Sequence, residues 1–175
     1  MDYSDYKLIR DTAWKCLIEC GISELPVKLS LICRKYGVEI IKNSSLSPDS
    51  PFRLKSNERA TVIIKERFII VDDTESRQAQ RYSIAHELGH LLLGNTNEPM
   101  AERFAISLLA PACVLWGCNI RTAQDIASVC DISITAARIR ETRIAVLYER
   151  NKFLTSPLEQ NVYENFKEFI ERFNL

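Results

Sequence analysis

Two histidines are all that this chain of 175 residues contains, and neither sign of charge is in excess: 23 lysines and arginines stand against 23 aspartates and glutamates. With no net charge there is no global field to hold a polyanion. No basic start followed by an apolar run marks a secretory leader. No apolar stretch reads as long enough to span a membrane, so a cytoplasmic protein free of the membrane is expected. The zinc-ribbon spacing C-x-x-C is missing as well. The six cysteines, Cys16, Cys20, Cys33, Cys113, Cys118 and Cys130, lie mostly on apolar helical faces. In a reducing compartment they read as small buried hydrophobes rather than as ligands or disulfides. There is no internal repeat and no low-complexity tail. What is present is 46% hydrophobic content, enough to bury the core of one domain, or of one domain with a small appendage.

The apolar spacing predicts an amphipathic helix over 3–19, with Tyr6, Ile9, Ala13, Trp14, Leu17 and Ile18 on its inner face and Gly21 behind it. A second helix is expected over 26–36, with Pro26 in its first turn and Gly37 as its stop. Residues 38–42 read as a short strand, and 43–57, with clustered serines, Pro48 and Pro51, as a loop. The runs 60–65 and 68–71 read as a hairpin turning at Glu66-Arg67. From 78 to 93 the apolar positions recur at three- and four-residue steps, between a polar stretch at 73–76 and the stop signal Gly94-Asn95. Beyond Pro99 the pattern is helical to the end, with breaks near Pro111, at 117–121, at 131–133 and at Ser156-Pro157.

Both histidines fall inside the strongest of these helices, in His86-Glu87-Leu88-Gly89-His90. A four-residue step is close to one helical turn, so both imidazoles leave the same face and can share one Zn²⁺. The intervening Glu87 then lies beside the metal, placed to take a proton from water there. Gly89 lowers helix propensity by roughly 1 kcal/mol relative to alanine. Its place beside a ligand predicts close approach of a neighbouring backbone or of substrate.

Zinc catalysis needs a third protein ligand, and no histidine remains. Glu98 and Glu102 follow one helical turn apart, so both can face the motif helix. One could bind the metal while the other accepts the outer N–H of a ligating imidazole; spacing alone does not separate the two roles. Cys113 is a weaker candidate, because its neighbours are apolar.

Three blocks carry a wider likeness: Leu25-Pro26-Val27 with Tyr36-Gly37-Val38-Glu39-Ile40, then 81–91 around the motif, then Glu98-x-x-Ala101-x-x-Phe104-Ala105-x-x-Leu108-Leu109-Ala110-Pro111. Together they resemble the ImmA/IrrE family of metallo-endopeptidases. The resemblance implies a zincin-like fold, bound zinc and peptide-bond hydrolysis. Its implied substrate is a helix-turn-helix repressor of a phage, a mobile element or a stress response. It also implies Glu98 as the zinc ligand, three residues before the alanine of the third block, and Glu102 as the partner that orients a ligand. One departure stands out: only seven residues separate His90 from Glu98, where such proteins commonly carry a longer insert, and this predicts a more open cleft.

The expected fold is α+β: a zincin-like peptidase domain over 1–118, with a small sheet packed on the motif helix, and a helical region over 119–175 packed on it. A competing reading rests on 122–140, which resembles a helix-turn-helix, with Arg138, Arg140 and Arg143 placed to meet phosphates. Against direct nucleic-acid binding, the second helix continues apolar, and Glu141 and Glu149 dilute its charge. The remaining alternative is a zinc-binding but inactive sensor or interaction module. Glu87 speaks against it, since such a site has no need of a carboxylate there.

Overall fold

The computed structural model describes residues 2–175. Helix α1 (Tyr3–Glu19) opens on a capping box in which the Asp2 carboxylate accepts the Asp5 N–H and the Asp5 carboxylate accepts the Asp2 N–H. Of the expected inner face, Ile9, Ala13, Trp14 and Leu17 are buried and Ile18 is half-buried, but Tyr6, in the first turn of the helix, is exposed. Helix α2 (Leu29–Lys35) begins later than Pro26, because Val27 is packed fully into the core ahead of the helix and Lys28 is extended at the N-cap.

Three short strands follow: β1 (Glu39–Lys42), β2 (Ala60–Ile63) and β3 (Phe68–Val71), in the order β1-β3-β2. The hairpin has β2 antiparallel to β3, with Val62 opposite Ile69, and Arg67 turns the chain in the left-handed region at φ 55°. Strand β1 pairs parallel to β3, with Ile40 opposite Ile69. The central strand β3 buries Ile69, Ile70 and Val71, which leaves β2 at one edge of the sheet. The loop between β1 and β2 is tied down where the Leu54 N–H donates to the Asn43 side chain and Ser44 donates to the Asp73 carboxylate.

Helix α3 (Arg77–Leu93) carries the histidines. Ser76 caps its start by accepting the Ala79 N–H, and Gly94 ends it in the left-handed region at φ 65°. It packs on β2 and β3 and lies along α4 (Glu98–Leu109). Gly89 permits that second contact. A Cβ built there would stand 3.1 Å from the Ala101 Cα and 3.1 Å from the Phe104 ring, so the close approach expected at this glycine is made by the backbone of α4.

The stretch Glu98–Gly117 is apolar and long enough to cross a membrane by composition. This corrects the expectation that no segment reaches that length. Here it is two core helices, α4 and α5 (Ala112–Gly117), separated near Pro111, and most of the stretch is buried.

The remaining helices are α6 (Ala123–Cys130), α7 (Ile134–Glu149), α8 (Pro157–Asn165) and α9 (Lys167–Phe173). Two arginines join them to the front of the molecule. The Arg140 side chain of α7 is buried and donates to the Ala110 carbonyl at the end of α4. Arg81 of α3 donates to the carbonyls of Cys130 and Asp131 at the end of α6. Five of the six cysteines are buried and Cys20 is half-buried; among the described residues all are free thiols.

Candidate metal centre

Because α3 holds His86 and His90 one turn apart, their rings meet edge to face with centroids 4.8 Å apart and Nε2 atoms 3.1 Å apart. Helix α4 starts where the short turn at 94–97 delivers it. Asn97 caps it by accepting the Met100 N–H, so Glu98 is its first residue. The Glu98 carboxylate reaches back to both rings, with Oε2 3.0 Å from the His86 Nε2 and Oε1 3.3 Å from the His90 Nε2.

These three separations test whether a metal would fit. Around a tetrahedral zinc with bonds of roughly 2.0–2.1 Å, neighbouring ligand atoms stand about 3.3–3.4 Å apart. The two imidazole nitrogens, and each of them with its nearer carboxylate oxygen, stand at or slightly inside that spacing, so the donor set fits such an ion. The donor atoms of His86, Glu87 and His90 also lie within 4.8 Å of one another, a cluster able to hold a metal ion. Within that cluster Glu87 is placed differently from Glu98. Its carboxylate turns to the edge of the sheet, where Oε2 accepts the Val62 N–H at 2.9 Å. Burial pushes the Glu87 carboxyl above the ordinary glutamate range, and the charge of Glu98 adds to this; the two histidines and the Val62 N–H pull it back. The group is thus buried, oriented and more basic than a surface carboxylate, as a proton acceptor at neutral pH needs to be.

The structure brings together four of the five residues singled out in the sequence: His86, Glu87, His90 and Glu98. Glu102 is exposed, and among the described residues no hydrogen bond joins it to either imidazole. The outer nitrogen of His90 meets the Asn95 carbonyl at 3.0 Å instead. Cys113 is buried on α5, where desolvation raises its thiol to about 12. Tyr82, one turn before His86 on α3, is half-buried with its ring 6.4 Å from that of His86. Two groups at the site were not foreseen, the Val62 N–H and the Asn95 carbonyl. Both belong to the backbone, and side-chain identity gives no signal for either. Of the three arginines proposed to meet phosphates, Arg140 is withdrawn into the core, whereas Arg138 and Arg143 are exposed.

A helix carrying H-E-x-x-H, flanked by the edge of a small mixed sheet on one side and a glutamate-bearing helix on the other, defines a zincin-like fold. The chain belongs to the family described as the IrrE N-terminal-like domain, Peptidase_M78, whose profile matches residues 33–140. No curated protein matches the sequence. The matched segment takes in α3 and α4 and extends through α6 into α7, as far as Arg140.

Proposed function

We propose that the protein is a zinc-dependent endopeptidase whose substrate is a helix-turn-helix transcriptional repressor of a phage, a mobile element or a stress response. The observation that carries the reading is the convergence of the His86 and His90 Nε2 atoms and the Glu98 carboxylate, with the Glu87 carboxylate alongside. What supports the substrate class is the resemblance to repressor-cleaving peptidases.

His86, His90 and Glu98 would hold the ion; imidazole nitrogen with a carboxylate oxygen suits zinc. When bound, the ion supplies Lewis-acid polarisation of the peptide carbonyl and acidifies the attacking water. Glu87 takes the proton from that water and delivers it to the leaving amine. The Val62 N–H keeps the Glu87 side chain in one orientation while it does so. Burial of Glu87 favours its protonated form after the first transfer, which eases the second.

The test uses the wild type and Glu87→Gln, each co-expressed with a repressor encoded next to its gene. The wild type is expected to hold about one zinc ion per chain and to cleave the repressor, with the metal lost on substitution of His86 or His90. Glu87→Gln is expected to keep fold and zinc and to lose cleavage, because glutamine matches the shape but cannot accept the proton. Absence of zinc after expression in supplemented medium, with no uptake on titration, overturns the metal site. Full cleavage by Glu87→Gln overturns the mechanism.

A further inference from the structure

A ligating imidazole is held in register by whatever accepts the proton on its other nitrogen. For His90 that acceptor is the Asn95 carbonyl, at 3.0 Å from Nδ1. With the proton on Nδ1, the electron pair is left on Nε2, the atom that faces His86 and Glu98. His86 differs: its Nε2 faces Glu98, and no partner binds its Nδ1 among the described residues.

A backbone carbonyl at a turn points only where the turn holds it, and here the Asn95 side chain shapes the turn. Its Oδ1 accepts the Asn97 N–H at 3.0 Å, and its Nδ2 donates to the Met100 Sδ at 3.7 Å. Asn97 in turn caps α4 by accepting the Met100 N–H at 3.1 Å. The same few contacts therefore orient His90 at the end of α3 and set where α4, with Glu98 as its first residue, begins.

We propose that Asn95 is a positioning residue for the metal site: its side chain braces the turn at 94–97 so that its own carbonyl holds His90 as the Nδ1–H tautomer. The proposal rests on the reading of His86, His90 and Glu98 as metal ligands, but its first readout is independent of metal and of cleavage. Asn95 is half-buried between exposed neighbours, so substitution there is compatible with folding.

The experiment compares the wild type, Asn95→Ala and Asn95→Ser; serine restores an oxygen able to accept the N–H two residues on. Long-range ¹H–¹⁵N spectra of the metal-free proteins report each histidine tautomer, and titration with zinc alone reports affinity. The wild type is expected to show His90 protonated on Nδ1 and His86 on Nε2. Asn95→Ala is expected to show a mixed His90 tautomer and zinc binding weakened by roughly 10–100-fold, the usual scale for losing an outer partner, with serine recovering most of both. An Nε2–H tautomer at His90 in the wild type overturns the proposal. So does an Asn95→Ala variant that keeps tautomer and affinity, or one that loses affinity with the tautomer unchanged, which marks a merely structural role. Failure of the wild type to bind zinc at all overturns the metal reading itself, whatever the tautomers show.

Discussion

Glu98 and Glu102 sit one turn apart on the same helix, and their surroundings separate them. Both are exposed, but the Glu98 carboxylate lies 3.0 and 3.3 Å from the two imidazole Nε2 atoms, whereas among the described residues no hydrogen bond joins Glu102 to either ring. Glu98→Ala is therefore expected to weaken zinc binding by more than the roughly 10–100-fold of an outer partner, and Glu102→Ala by a few-fold only. Calorimetric titration of both variants checks this, and a larger loss in the Glu102 variant reverses the assignment. The cysteines follow from burial. Desolvation raises Cys113 and Cys130 to about 12 and Cys33 and Cys118 to about 11, so little thiolate is present at neutral pH. Brief alkylation of the native protein followed by mass spectrometry is expected to mark Cys20, the one half-buried thiol, and to leave the other five intact. Rapid labelling of Cys113 contradicts its place in the core.

At the scale of elements, the site is the product of two helices and a strand edge held at fixed separation. Gly89 sets the first of these separations. Gly89→Ala places a methyl group 3.1 Å from the Ala101 Cα and the Phe104 ring, where backbone cannot yield as a flexible side chain could. Overpacking of this kind costs about 1–3 kcal/mol, against the roughly 1 kcal/mol of helix propensity that alanine regains. A net loss near 1 kcal/mol is expected, read as a fall of about 2–4 °C in Tm. Because α4 carries Glu98, zinc affinity should fall with it; a variant more stable than wild type with unchanged affinity refutes the packing argument. The α3 helix itself was legible from its spacing, Ser76 cap and Gly94 stop. Strand β1 was legible as a strand, but its parallel pairing with β3 was not, because periodicity reports which face of a strand is buried and not which strand lies beside it.

Over the whole molecule, the helix-turn-helix-like segment is joined to the peptidase fold through both of its helices. Arg81 of α3 holds the end of α6 and Arg77 pairs with Asp131 at 2.8 Å, while Arg140 reaches from α7 to the end of α4. With Arg140 inside, Arg138 and Arg143 are what remains exposed of the three arginines, on a chain with no net charge, whereas phosphate binding draws on a concentrated basic surface. A gel-shift titration with arbitrary duplex DNA at about 0.15 M salt is accordingly expected to show no complex. A salt-sensitive shift abolished by Arg138→Ala and Arg143→Ala would establish the nucleic-acid reading instead.

The amino-acid sequence by itself determined the parts of this protein that depend on neighbours along the chain. A four-residue step puts His86 and His90 on one helical face whatever surrounds them, and caps and breakers bound most helices close to the expected places; the exceptions are the start of α2, the end of α7 at Glu149 rather than at Ser156-Pro157, and the break at Phe166 between α8 and α9. Burial of the cysteines followed from their apolar faces. Only the tertiary structure decided what depends on groups far apart in the chain. Val62, 25 residues before Glu87, presents its N–H to that carboxylate because β2 ends up as an edge strand. Arg140, which an isolated helix would offer to solvent, lies buried and donates to the Ala110 carbonyl. The acceptor for His90 is a main-chain oxygen, a group every residue carries, so only the path of the backbone could single out Asn95.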